Sequence, residues 1–265
     1  MRVTLKSARL ILHLLVGLLL AALLKVFGNR WLSRERLGTW WHRVLLRILN
    51  VRLSIRGTPY NGGARVVVCN HISWLDIPVV GAAEAVRFVS KAEIANWPIA
   101  GLLANAAGTF YLRRGAGATK QLISAIGSHL GQGTVVFFPE GTTTDGSQVL
   151  KFLPRMFACA IDTGLPVQPV ALRYGTAANG LATAPFIGDD DMISHLLRLM
   201  RNGPIDAELI YCPPILLEGQ DRATLADAAH TAICEEIAPA AIGNTEMVKR
   251  KPNPQPARGG FRGMV

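Results

Sequence analysis

The sequence predicts an α/β domain carried behind a membrane-attached helical head, and three observations predict it. Residues 10–24 are an apolar run of fifteen residues broken only by His13. From about residue 51, short apolar stretches alternate with helical ones, the pattern of α/β domains. Charge is divided the same way: residues 1–56 carry a net +10, residues 57–245 a net −4 and residues 246–265 a net +4. These shifts divide the chain into anchoring helices at 1–50, a catalytic-sized domain at 51–245 and a basic tail at 246–265.

The apolar run is at the short edge of the roughly 20 residues a spanning helix needs, so thin spanning and a re-entrant or surface position both stay open. Arg2, Lys6 and Arg9 precede it and Lys25, Arg30, Arg34 and Arg36 follow it, which leaves its orientation unassigned. A cleaved signal peptide competes, but basic residues rather than a small-x-small site follow the run. Residues 40–49 place Trp40, Trp41 and aliphatics on one helical face, with Arg43 and Arg47 opposite. Such a helix suits a membrane surface and equally packs on a protein body.

Strands are expected at 52–56, 65–69, 86–90, 109–112, 134–138, 166–172 and 207–211. Each is a short apolar or β-branched stretch bounded by turn residues. Helices are expected at 74–83, 98–105, 116–131, 153–162, 189–201 and 221–238. Residues 249–265, rich in Pro, Gly and positive charge, read as a disordered tail. The chain's 265 residues are enough to bury a core without staples. Its four cysteines are scattered, without a C-x-x-C pair or zinc-spaced histidines, so neither a disulfide framework nor a structural metal is suggested, and a reducing environment fits.

The stretch CNHISWLD, Cys69–Asp76, follows the buried-strand pattern Val66-Val67-Val68. Ser73 is placed to cap the following helix, with Asp76 in its first turn and His71 in the loop before it. On a continuous helix, side chains five apart diverge by about 140°; a loop-to-helix junction lifts that objection. A carboxylate accepting from one imidazole nitrogen leaves the other free to take a proton from a hydroxyl. Asp76 as a plain capping residue is the competing reading. Two later strands also run into polar segments. GTFYLRR ends in Arg113 and Arg114, suited to a phosphate or carboxylate, and FPEGTTTDG carries Glu140 in a glycine-rich turn. Singly, these are also a surface arginine pair and a turn.

Together, NHISWLD, GTFYLRR, FPEGTTTDG and LPVQPVAL, in this order and spacing, resemble the four motif blocks of the glycerolipid acyltransferases, the lysophosphatidate acyltransferase family. The resemblance covers about residues 60–175, and the two helices before it look like the family's membrane anchor. It implies a mixed sheet flanked by helices, His71 as general base and Asp76 as its orienting carboxylate. It implies acceptor binding at Arg114, Glu140, Gly141, Thr142 and Thr143, and a structural or acyl-pocket role for Pro169. The implied reaction moves a fatty acyl group from acyl-CoA or acyl-carrier protein to a lysolipid hydroxyl, first of all that of 1-acylglycerol-3-phosphate, giving phosphatidic acid. No metal and no cofactor beyond the acyl donor is implied.

One position departs from the pattern. Many lysophosphatidate enzymes read Phe-Pro-Glu-Gly-Thr-Arg in the third block, and here Thr143 stands where that arginine would be. A hydroxyl supplies one donor and no charge. Lys151 or Arg113 are candidates to substitute, or the acceptor is another lysolipid, such as lyso-ornithine lipid or a lysophospholipid. No G-x-S-x-G elbow is present, and Cys69, at a strand end, is expected to point away from His71. The basic head suits anionic membrane lipids as partners, and the expected location is the cytoplasmic face of a bacterial inner membrane; no nucleic acid is expected. Two other classes stay open: a metal-dependent hydrolase, for which the remaining histidines form no recognisable ligand cluster, and a non-catalytic adaptor on anionic membranes.

Overall fold

The computed structural model describes residues 2–28, 33–112, 126–127, 133–176 and 182–238. Two helices lead the chain, α1 (Arg2–Phe27) and α2 (Arg34–Leu49). Seven strands follow: β1 (Val51–Arg56), β2 (Val66–Cys69), β3 (Val86–Lys91), β4 (Phe110–Leu112), β5 (Thr134–Phe137), β6 (Val167–Tyr174) and β7 (Ile205–Tyr211). Between and after them lie α3 (Asp76–Ala83), α4 (Ala100–Ala107), α5 (Ala158–Thr163), α6 (Met192–Arg201) and α7 (Arg222–Ile237).

The strands form one sheet in the order β1-β7-β6-β2-β5-β3-β4. All neighbours are parallel except β6 and β7, so the sheet is mixed. At its centre β2 and β5, VVVC and TVVF, are buried along their whole length, as apolar strands covered on both faces must be. Alternation along β2 divides the core. Val67 and Cys69 join Leu45, Val79 and Leu199 of α2, α3 and α6 on one face. Val66 and Val68 join Phe137, Phe157, Leu225 and Ala229, with α7 on the other.

A buried ion pair fixes where β2 enters the sheet. Arg65, 4% exposed, places Nη2 on both oxygens of Glu84 at 2.8 and 2.6 Å and donates to Thr134 at 3.2 Å. Tyr211 Oη donates to the same carboxylate at 3.0 Å, so β2, β5, β7 and the end of α3 share one polar knot.

All seven expected strands are present, with β6 running two residues further, to Tyr174. The helix expected at 153–162 is divided into a 3-10 turn, Pro154–Phe157, and α5. That expected at 189–201 starts later, because Asp191 Oδ1 accepts from the amides of Ile193 and Ser194, both at 3.0 Å, and so fixes the first turn. A 3-10 helix at Ala92–Asn96 has no counterpart among the expected elements. The expected helix at 116–131 lies outside the described residues except for positions 126 and 127, and the basic tail lies wholly outside them.

Helix α1 is long and apolar enough over Val3–Phe27 to cross a membrane, yet one side of it is docked on protein. Leu10 and Leu24 are buried, and Lys6 Nζ donates to the Met200 carbonyl of α6 at 3.0 Å. The His13 ring stacks on Trp41 with centroids 4.6 Å apart. Gly17 permits this approach, since a Cβ there would lie 2.7 Å from Trp41 Nε1. The opposite side exposes Leu5, Ile11, Leu12, Leu15, Leu19 and Val26.

Helix α2 packs closely on α3, where the His42 ring sits against Gly81; a Cβ at Gly81 would be 2.3 Å from His42 Cδ2. Burial, with His13 nearby, pushes His42 down from 6.5 to about 4. The fold therefore favours the neutral ring. That stabilisation is complete above 6.5 and is lost as pH falls through about 4. Thermal unfolding in detergent should show a midpoint that declines over this interval, and His42→Gln should flatten the slope. Part of the slope will persist in that variant, because burial also lowers His195.

Candidate active site

The carboxyl ends of parallel strands β2, β5 and β6 lie side by side on one edge of the sheet, where open α/β sheets place their ligands. His71 stands in the loop after β2, Glu140 to Thr144 in the loop after β5, and Tyr174 at the end of β6. Asn70 makes the step from strand to loop. Its amide donates to the Leu172 carbonyl at 3.0 Å and its carbonyl accepts from the Leu172 amide at 2.7 Å, extending the β2–β6 ladder by a side chain.

His71 and Asp76 meet. His71 Nδ1 lies 2.7 Å from Asp76 Oδ2, with the imidazole 21% exposed and the carboxylate fully buried. Oδ2 also accepts from the amides of Ile72 at 2.7 Å and Ser73 at 3.0 Å, and Oδ1 accepts from the Tyr174 hydroxyl at 2.8 Å. An ionised carboxylate can only accept, so the network assigns the shared proton to Nδ1 and leaves the Nε2 lone pair free. Phe138 stacks flat on the imidazole at 4.2 Å and 16°, and fixes the plane of the ring.

Helix α3 starts differently from expectation. Ser73 is not its cap: the residue preceding the helix is Leu75, without a side-chain cap bond, and Asp76 is the first helical residue. The Asp76 carboxylate turns back instead to bind the amides of the loop that carries His71. Pro78 falls in the first turn, where no backbone donor is needed.

Glu140 and Thr143 use their polar atoms internally. Glu140 Oε1 accepts from the His71 amide at 2.7 Å and Oε2 from the Leu150 amide at 2.8 Å. Burial raises the Glu140 carboxyl above its ordinary range, against these two amides and His71, which lower it. The amide of Thr144 donates to the His71 carbonyl at 2.9 Å, so both sides of the His71 peptide are held by the third block. Thr143 Oγ1 donates to the Phe186 carbonyl at 2.5 Å. Gly141, at φ +74°, and Thr142 are exposed at the crest of the loop. Lys151 is exposed on the segment that follows. Pro169 sits inside β6, paired in register with Val68. Arg113 and Arg114 lie outside the described residues, one and two positions beyond the end of β4.

Three residues in or beside the site carry no local sequence signal that singles them out. Tyr174 is the clearest, with strand alternation as the one pointer to it: it shares a face of β6 with Val170 and Leu172, toward α3. Burial and the Asp76 charge raise its hydroxyl well above the usual range, so it stays a donor. The second is Phe138. The third is His195, buried in α6, whose Nδ1 accepts from Trp74 Nε1 at 2.9 Å while Nε2 donates to the Pro185 carbonyl at 3.0 Å. Cys69 is fully buried and points into the core with α2 and α3; burial, Asp76 and Glu84 raise its thiol, which disfavours a thiolate.

A family model described as Acyltransferase matches residues 50–173, which include His71, Asp76 and the loop after β5 and stop one residue short of Tyr174. The lyso-ornithine lipid O-acyltransferase of Pseudomonas aeruginosa is 38% identical over 88% of this chain and 92% of its own length. The 1-acyl-sn-glycerol-3-phosphate acyltransferase of Neisseria meningitidis is 32% identical over 78% and 82%. Among solved structures, the 1-acyl-sn-glycerophosphate acyltransferase PlsC from Thermotoga maritima shares the fold, with a TM-score of 0.57, 20% identity and coverage of 88% of this chain and 96% of that one. With the first, third and fourth motif blocks side by side on one sheet edge and these relatives aligned over most of the chain, it belongs to the glycerolipid acyltransferase family.

Proposed function

We propose that His71 is the general base of acyl transfer from a thioester donor, acyl-CoA or acyl-carrier protein, to a lysolipid hydroxyl, with lyso-ornithine lipid as the acceptor. The observation that carries the base assignment is the 2.7 Å contact of His71 Nδ1 with the buried Asp76 carboxylate. The acceptor hydroxyl gives its proton to Nε2 as its oxygen attacks the thioester carbonyl. The tetrahedral intermediate collapses with cleavage of the carbon–sulfur bond, and the imidazolium returns the proton to the departing sulfur. Asp76 stabilises the imidazolium between these two steps.

Two observations move the acceptor from lysophosphatidate, favoured by the sequence reading, to the ornithine lipid. The first is Thr143, which replaces a phosphate-binding arginine and whose hydroxyl is engaged by Phe186. The second is the relative bearing the ornithine name, which is the more similar of the two compared. An ornithine headgroup has a side-chain ammonium and a carboxylate, so it needs less positive charge than a phosphate monoester. Arg114, Gly141 and Thr142 are the remaining acceptor-binding assignments.

The docked side of α1 argues for a helix lying along the catalytic domain, with its exposed leucine-rich side in one leaflet, rather than one crossing the bilayer. Placed on the cytoplasmic face, the site reaches soluble thioesters and lipid acceptors together, and the basic head meets anionic headgroups.

Purified protein in mixed micelles, given labelled acyl-CoA or acyl-carrier protein, should acylate lyso-ornithine lipid faster than lysophosphatidate. His71→Ala should lose about 10²–10⁴-fold in kcat with lipid binding retained. Asp76→Asn keeps an oxygen for the three N–H donors and turns its amide toward Tyr174. Its thermal midpoint should therefore stay close to wild type while kcat falls about 10²-fold through loss of the counter-charge. Tyr174→Phe leaves a buried carboxylate oxygen one donor short, at a stability cost of about 1–3 kcal/mol, readable as a lower denaturant midpoint. An Asp76→Asn chain as active as wild type would remove the dyad from the mechanism.

A further inference from the structure

A cleft of about 140 Å³ opens beside the dyad, lined by Ile72, Asp145, Gly146, Arg173, Tyr174 and Pro185 among others. Two of these touch the catalytic group: Ile72 follows His71 and gives its amide to Asp76, and Tyr174 gives Asp76 its hydroxyl. The cleft carries one carboxylate and one guanidinium; the carboxylate has no ion-pair partner among the described residues, and the guanidinium has only long ones. Asp145 Oδ1 accepts from the Ser147 amide at 2.9 Å and the Ser147 hydroxyl at 2.6 Å, while among the described residues no cation pairs with this carboxylate. These Ser147 bonds hold the Asp145 carboxyl below its ordinary range.

Arg173 is poorly satisfied in a complementary way. Its Nε is buried without a hydrogen-bond partner among the described residues. Its ion-pair distances, 3.7 Å to Glu208 and 3.9 Å to Glu236, are beyond hydrogen-bond length. Both glutamates are nearer to Arg56, at 3.6 and 2.6 Å. The Arg173 side chain lines the cleft and remains 36% exposed, so an anion in the cleft can compete with these long ion pairs for the guanidinium.

A carboxylate and a guanidinium in one cleft match a zwitterion better than a phosphate. We infer that this cleft is the acceptor's headgroup site, with Asp145 receiving the side-chain ammonium of an ornithine-type headgroup and Arg173 its carboxylate. The inference rests on the acceptor proposed above and names the residues that read it. The headgroup then lies beside Ile72 and Tyr174, which brings the lipid's hydroxyl into the neighbourhood of His71.

The test is a cycle of enzyme and acceptor variants in mixed micelles with the full chain. The enzymes are wild type, Asp145→Asn and Arg173→Gln. The acceptors are lyso-ornithine lipid, the same lipid with its side-chain amine acetylated, its carboxylate methyl ester, and lysophosphatidate. Acetylation should lower wild-type kcat/KM about tenfold, and Asp145→Asn should lose a similar factor on the free amine while no longer distinguishing the acetylated lipid. Arg173→Gln should still distinguish the acetylated lipid but not the methyl ester. A merely structural effect would slow all acceptors alike, and thermal midpoints matched to wild type show that the variants fold. Wild-type transfer to lyso-ornithine lipid with Asp145→Asn discriminating as wild type does would overturn the site and leave the acceptor standing. Preference of wild type for lysophosphatidate, or transfer to neither lipid, would overturn the acceptor and the site with it.

Discussion

The rest of the site depends on one buried carboxylate. Asp76 is fully buried, and four donors converge on it, three from the loop after β2 and one from the end of β6: the His71 ring, the Ile72 and Ser73 amides and the Tyr174 hydroxyl. An ionised carboxylate offers about four acceptor positions, so this one is saturated. Burial of a charge is tolerated only with such compensation. The loop 70–73 has no regular backbone ladder of its own, and the carboxylate takes the place of one by gathering its amides.

A second constraint comes from the sheet. β2 lies between β5 and β6, both parallel to it, so three chain ends emerge together. His71, the loop of the third block and Tyr174 are therefore neighbours although they are separated by up to 103 positions in the chain. Glu140 and Thr144 then fasten the His71 peptide from the β5 side, and Asn70 fastens the strand end from the β6 side. Phe138 and the tautomer set by Asp76 complete the orientation of the imidazole.

Much of this was legible in the sequence. The central strands β2 and β5 are legible as apolar runs because burial on both faces leaves a strong compositional trace, while the less buried β1, β3 and β4 are marked by short β-branched or aromatic stretches between turn residues. The proximity of His71 and Asp76 followed from a strand end meeting a helix start. Less visible were contacts made by backbone groups. Glu140 reads in the sequence as a ligand-binding acid, and nothing local shows that its two oxygens are taken by the His71 and Leu150 amides. Ser73 reads as a cap for the same reason: residue type suggests capping, but the carboxylate of Asp76 reaches the loop first. Tyr174 lay just beyond the fourth block, where only strand parity pointed inward. The docking of α1 was hidden too, since a leucine-rich helix has no polar face to betray which side meets protein.

The double fastening of His71 to the third block divides that block into two kinds of position. Glu140 and Thr144 face inward and hold the His71 peptide, while Gly141, Thr142 and Asp145 face outward. Changes at the outward positions can alter charge and shape at the surface without slackening the imidazole. Under the proposed roles, one scaffold can be retuned among lipids of different headgroup charge through a handful of crest residues, because the hydrogen bonds beneath them that hold His71 do not pass through those side chains.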